Sequence, residues 1–230
     1  SSRQPAAGPR YMSRMNFDLS ARWPSRRLVL AGLATAAALT LPRAAQAALK
    51  PADQIDLGRI QSYLNGIHTM ESRFDQVAGD GSTATGTIYI SRPGHMRIVY
   101  NPPHPILIVA TNDQVYYYDG ALGQVTWTDL DNTPAWFLLQ NTVELGGPIR
   151  IDSVQHTPGA IRVSATETKR PEHGRVTMVF SEEPLQLRQW TILDAQNKTV
   201  TVTLDSPRFG VKLNPSLFEW ENPQNNGSGG

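Results

Sequence analysis

Residues 86–100 read GTIYISRPGHMRIVY, and this stretch decides the fold. In a strand, successive side chains point to opposite faces. Ile88 and Ile90 therefore share a face, and the next member of their row is Arg92. Pro93-Gly94 then turns the chain, and MRIVY opens a second strand. The result is a hairpin whose apolar row ends in a guanidinium. A solvent-facing residue before a turn is the ordinary account of such an arginine, and the residues of the hairpin alone leave it open.

Outward from the hairpin, the chain reads as strand after strand. Candidates are 86–92, 95–100, 105–111, 114–119, 123–129, 149–155, 160–167, 175–180, 185–194 and 198–205. Turn signals separate them: Asn112-Asp113, Asp119-Gly120, Pro158-Gly159, His173-Gly174 and Ala195-Gln196-Asn197. Connections this short join antiparallel neighbours, because parallel pairs need long crossovers. Two helices interrupt the pattern. Leu57, Ile60, Leu64, Ile67, Met70 and Phe74 recur at spacings of three and four, which predicts a helix over 54–74. Thr133-Pro134 reads as an N-cap followed by Pro at the first helical position, predicting a short apolar helix over 133–140.

Several strands are apolar on both faces. PILIVA (105–110) does not alternate, VYYYD (115–119) puts Tyr on each side, and WTIL (190–193) behaves alike. Strands of that kind must be covered twice. A curved sheet whose hollow side is closed by the two helices satisfies this; the dense core of a sandwich is the alternative. Strand parity then assigns Ile88, Ile90, Ile98, Tyr100, Leu107, Val109, Trp190 and Ile192 to the hollow, with Trp136 and Leu139 facing it from the second helix.

Charge divides the chain. Residues 1–47 hold seven Arg against one Asp, whereas the remainder holds 14 Lys and Arg against 19 Asp and Glu. An acidic body is no partner for nucleic acid, which demands clustered cations. The basic part contains SRRLVLAGLATAAALTLPRAAQA (25–47): an arginine pair, an apolar run and Ala45-Gln46-Ala47 as a cleavage site. It reads as a cleavable export signal, of twin-arginine or general secretory type, and places the protein in the periplasm. The predicted organisation is a disordered extension over 1–24, the signal over 25–47, one domain over 48–223 and a disordered tail over 224–230. With no cysteine, the fold stands without disulfides.

Enzyme chemistry finds little purchase. The five His (68, 95, 104, 156 and 173) form no metal-binding spacing, and there is no nucleophile elbow or phosphate-binding glycine loop. No catalytic residue, metal or cofactor is predicted.

An ordered set of features resembles the outer-membrane lipoprotein carrier (LolA) family. It comprises Phe74-Asp75-Gln76, Gly86 with Ile88 and Ile90, Arg92-Pro93-Gly94, Tyr100 with Pro102, and the YYYD strand with Leu122-Gly123-Gln124-Val125. Thr133-Pro134-Ala135, Asp194 before TVTVTL, and Phe218-Glu219-Trp220 before Pro223 complete it. The resemblance implies a mainly β fold with few helices: an incomplete antiparallel β-barrel of about ten to eleven strands with a helical lid. It implies a monomeric periplasmic chaperone that takes acylated lipoproteins from an inner-membrane LolCDE-type ABC complex to an outer-membrane acceptor, LolB. A half-barrel binder or sensor of another lipid or glycolipid is the alternative. It further implies that Arg92 latches the lid, bonding backbone carbonyls near Trp136, Phe137 and Leu138, with Leu64 close by. The family position after the turn, usually aromatic, is Met96 here, a contact for cargo or acceptor.

Overall fold

The computed structural model describes residues 49–224, so the predicted extension, export signal and all but the first residue of the tail lie outside the described residues. Eleven strands form one sheet: β1 Thr69–Ala78, β2 Thr83–Ser91, β3 His95–Tyr100, β4 Ile106–Thr111, β5 Gln114–Asp119, β6 Gln124–Asp129, β7 Ile149–Thr157, β8 Ala160–Glu167, β9 Arg175–Glu182, β10 Leu185–Leu193 and β11 Thr199–Phe209. Their order is β6-β5-β4-β3-β2-β1-β11-β10-β9-β8-β7, and every neighbouring pair is antiparallel. All pairs are sequence neighbours except β1 with β11, which joins two meandering limbs. Strands β6 and β7 end the order unpaired with each other, so the barrel is not closed. Residues 130–148 cross from one free edge to the other.

The first helix, α1, spans Pro51–Gly66, shorter than the predicted 54–74. Pro51 suits a helix start, and the Asp53 carboxylate accepts from the Lys50 backbone N–H at 3.3 Å. Leu57, Ile60 and Leu64 form its buried stripe. Met70 and Phe74, predicted to continue that stripe, lie instead on β1, where Met70, Ser72, Phe74, Gln76 and Ala78 alternate inward. Ser72 and Gln76 are buried because each is bonded: Ser72 Oγ donates to the Asp205 carbonyl at 3.1 Å, and Gln76 Oε1 accepts from the Tyr100 hydroxyl at 2.8 Å.

The predicted helix over 133–140 is also shorter. A 3-10 turn, Leu130–Asn132, precedes a single helical turn, α2, over Trp136–Leu139. Thr133 does not cap it; its hydroxyl donates back to the Leu130 carbonyl at 2.8 Å, and Ala135 holds the N-cap position.

One face of the sheet wraps around these helices. Side chains from both limbs, including Ile88, Met96, Ile161, Val163, Met178 and Phe180, join Leu57, Ile60 and Leu64 of α1 and Phe137 and Leu139 of α2 in a single buried cluster. The hollow is filled by its own lid.

Candidate functional site

Registration settles which predicted residues share the hollow. Ile88 pairs with Ile98, Ile90 with Met96, and Gly86 with Tyr100, so these residues share the inner face. Trp190 and Ile192 pair with Val202 and Val200 on the other limb, again on the inner face. Leu107 and Val109 do not. They pair with Val99 and Arg97, which places both on the outer face. Val109 is fully buried all the same, because residues 211–224 run over that side. There Arg97 Nη1 donates to the Leu217 carbonyl at 3.1 Å, the Phe218 ring lies 5.7 Å from that of His95, and Trp220 stacks on Tyr116 at 4.7 Å. The non-alternating run 105–110 reflects this double cover.

Arg92 lies one residue beyond β2, with its backbone N–H donating to the His68 carbonyl at 2.8 Å. Its side chain continues the inner row. A guanidinium has five N–H donors in a planar fork, and here each meets a backbone carbonyl. Nε and Nη2 donate to Gln140 at 2.8 and 2.6 Å, and Nη2 also donates to Asn141 at 3.3 Å. Nη1 donates to Leu64 and, at 3.1 Å, to Ile67. These carbonyls lie in the last turn of α1 and just beyond the ends of α1 and α2, and that of Leu64 also accepts from the Ile67 N–H at 3.2 Å. The last turn of α1 has no basic residue of its own, so Arg92 supplies the cation that a helix C-terminus favours. Burial draws the guanidinium pKa down from its usual value, yet arginine stays charged.

Leu64 accepts as expected, but on the α2 side the acceptors differ from those expected. Gln140, the residue that caps α2, and Asn141 receive the guanidinium, whereas Trp136, Phe137 and Leu138 do not. Leu139 is tied to the same turn by another route, accepting from the Gly94 N–H at 2.8 Å. Three further fasteners were not legible in the sequence. The Asn65 side chain donates to the Val143 carbonyl at 3.0 Å and accepts from the Val143 N–H at 2.8 Å. Gln61 Oε1 accepts from the Leu145 N–H at 2.8 Å, and Tyr63 Oη accepts from the Leu187 N–H at 3.0 Å beside a bulge in β10. A half-buried side chain pairing with a remote peptide group leaves no periodic signature.

This arrangement holds two apolar pieces over an apolar face through polar contacts at their rims. It presents no nucleophile with an adjacent base, and among the described residues no group of three or more His, Cys, Asp or Glu could hold a metal ion.

Residues 65–221 match the family described as "Outer membrane lipoprotein carrier protein LolA". The chain belongs to the LolA family. An outer-membrane lipoprotein carrier protein of Nitrosospira multiformis is 28% identical over 184 residues, covering 73% of this chain and 84% of its own length. An uncharacterized protein of Rickettsia prowazekii is 26% identical over 172 residues, covering 75% of this chain and 79% of its own. Among solved structures, a DUF1329 family protein of Desulfovibrio piger superposes with a TM-score of 0.46 at 12% identity, covering 73% of this chain and 96% of that one. Within this LolA-family chain, Arg92, Gly94, α1 and residues 136–145 form the candidate site.

Proposed function

We propose that this chain is a periplasmic carrier that shelters the acyl chains of lipoproteins between the two membranes, and that Arg92 latches it when empty. The observation that carries the reading is the complete use of the Arg92 fork on carbonyls of both lid pieces, over a face lined by Ile88, Ile90, Met96 and Ile98. The task is binding and handover, which needs no catalytic residue and no nucleotide.

Energetics fit that task. Burying an acyl chain is worth ~0.8 kcal/mol per methylene, so lipoprotein tails do not cross water unshielded. A carrier must also release them, and the filled hollow competes with cargo for the same apolar face. Hydrogen bonds from a charged donor contribute about 1.5–3 kcal/mol each. A latch of a few such bonds biases two states without locking either.

Cargo would come from an inner-membrane LolCDE-type ABC complex and pass to an outer-membrane acceptor of the LolB kind, with Met96 among the inner-face contacts. The test is a reconstituted transfer assay with the variant Arg92→Leu. Loading should persist and handover to outer-membrane vesicles should fall. Handover at the rate of the unaltered protein would overturn the latch. Mass spectrometry of material co-purified from periplasm separates lipoprotein cargo from another lipid or glycolipid.

A further inference from the structure

The lid segment crosses the open slot between β6 and β7 and has two ends, of which Arg92 fastens only the second. Residues 98–149 carry five acidic side chains and no Lys or Arg. Any cation that fastens this segment must therefore come from another part of the chain. At the first end that cation is Arg170, in the loop between β8 and β9. Its Nε donates to Glu167 Oε1 at 2.8 Å, which fixes the guanidinium against the end of β8. Its Nη1 reaches across the slot to Asp131 Oδ2 at 3.3 Å and Asn132 Oδ1 at 3.2 Å, both in the 3-10 turn before α2.

The two ends are built differently. Arg92 bonds backbone carbonyls with all five donors, whereas Arg170 crosses the slot through one nitrogen onto two side chains. The Asp131 side chain is 67% exposed, so water and salt screen its pairing. Beside this bridge lies a void of about 40 Å³. Trp136 and Phe137 border it from the lid, Ile149, Ala165 and Val176 from the far limb. All but Trp136 and Val176 are buried members of the main apolar cluster, and those two pack against it. The weaker fastener thus stands beside a gap whose lining includes side chains of the hollow's own apolar cluster.

We propose that the lid opens first at its Arg170 end, and that apolar cargo enters between the lid turn at residues 133–137 and the start of β9, while Arg92 still holds the other end. Arg170 is a positioning residue: it touches no cargo and acts through the 3-10 turn. The charged and titratable groups around it are Asp131, Glu167 and His173, whose Nδ1 lies 3.3 Å from Glu167.

This inference rests on the carrier reading, and stopped-flow uptake of N-phenyl-1-naphthylamine by the full chain separates the two. The variants Asp131→Asn and Arg170→Gln should each speed uptake about two- to fivefold, the size of an exposed ion pair. The double variant should be no faster than Arg170→Gln alone, because that change already removes the pairing with Asp131 along with the bond to Asn132. Raising NaCl from low to high concentration should speed the unaltered protein and leave Asp131→Asn unchanged, a response that a merely structural role for Asp131 would not produce. Arg170→Lys, which keeps the charge without the fork, should restore part of the slow rate.

A rival entrance serves as the control. An open cleft of about 570 Å³ lies beside α1, lined by Leu57, Gly58, Leu145, Arg150 and Ile151 among others. A Cβ at Gly58 would meet nothing within 4 Å, so Gly58→Leu narrows this cleft without strain. Uptake slowed by Gly58→Leu and indifferent to Asp131→Asn would overturn the inference. Uptake enhanced by Arg92→Leu but unchanged by Asp131→Asn, Arg170→Gln and salt would overturn it while leaving the carrier reading intact. No uptake by any variant, Arg92→Leu included, would overturn both.

Discussion

Strands β3 to β5 carry apolar side chains on both faces, and the two faces are covered by different means. On the inner side, α1 and residues 130–145 lie over Ile88, Ile90 and Met96, and polar contacts at the rim hold them: Arg92 on carbonyls, Asn65 on Val143, Arg170 on Asp131. On the outer side, the C-terminal segment anchors itself with aromatic rings. Phe218 is 5% exposed, and Trp220 stacks on Tyr116 with only 7° between the planes. A rim of hydrogen bonds can be given up when another apolar occupant replaces the buried area. A cover whose own rings are the buried area has no such substitute. On the carrier reading proposed above, one cover is exchangeable and the other is permanent.

The largest effect should come from breaking the permanent cover. Phe218→Ala removes a buried ring and should cost about 3–5 kcal/mol in urea unfolding. It should not raise uptake of an apolar probe into the hollow. Gain of probe binding equal to that of Arg92→Leu would erase the distinction. Next comes Gly86, which lies beneath the inner cover. A Cβ there would stand 2.3 Å from the Val99 carbonyl oxygen and 2.7 Å from the Phe74 ring. Phe74 packs edge-on to Tyr100 at 5.3 Å, so the ring has little freedom to retreat. Gly86→Ala should cost about 1–3 kcal/mol, the usual penalty of overpacking. It should raise probe uptake too, since the strained pair faces the hollow.

Arg92→Leu should show the opposite signature. Five hydrogen bonds vanish, yet the Leu64 carbonyl keeps its bond from the Ile67 N–H, and once the lid swings aside the others exchange the guanidinium for water. Stability should fall by only about 1.4 kcal/mol, and affinity for the probe should rise about tenfold, the same free energy read at the other end of the equilibrium. Calorimetry and fluorescence titration on the same samples would check this. A large fall in stability without a gain in affinity would make Arg92 a structural residue rather than a latch.

How much of this was legible follows from where local pattern and tertiary need coincide. The hairpins announced themselves through turn residues, and ten of eleven strands follow from them. Strand β1 did not, because Ile67, Met70 and Phe74 continue the spacing of the α1 stripe while polar Ser72 and Gln76 occupy its inward positions. Those two are tolerated by bonds to Asp205 and Tyr100, which only the folded sheet reveals. Parity misplaces Leu107 and Val109, because a doubly covered strand has no alternation to set its face. Arg92 stood out as a charge in an apolar row. Leu64 is an acceptor as expected, and the acceptors on the α2 side, Gln140 and Asn141, lie just past the helix rather than within it.

The smallest expected effect sharpens the comparison through acid. The exchangeable cover has a titratable anchor: Asp56 on α1 accepts from or pairs with His156 of β7 at 3.0 Å, and Arg59 lies 2.9 Å from the same carboxylate. The hydrogen bond to His156 is the main influence holding the Asp56 pKa below its usual 3.8; burial opposes it, and Arg59 adds to the lowering. A carboxyl whose folded pKa is depressed contributes stability that is present above its unfolded value and lost as pH falls through the folded one. The first turn of α1 should therefore loosen below about pH 4. Amide hydrogen exchange at residues 54–57 should quicken there in the unaltered protein, and Asp56→Asn should show the quicker exchange already at neutral pH with little further change. The Tyr116–Trp220 stack rests on no carboxylate, so the near-ultraviolet signal of the outer aromatics should hold across the same range. If both covers loosened together with acid, the two would be parts of one cooperative unit, and the division between an exchangeable and a permanent cover would fail.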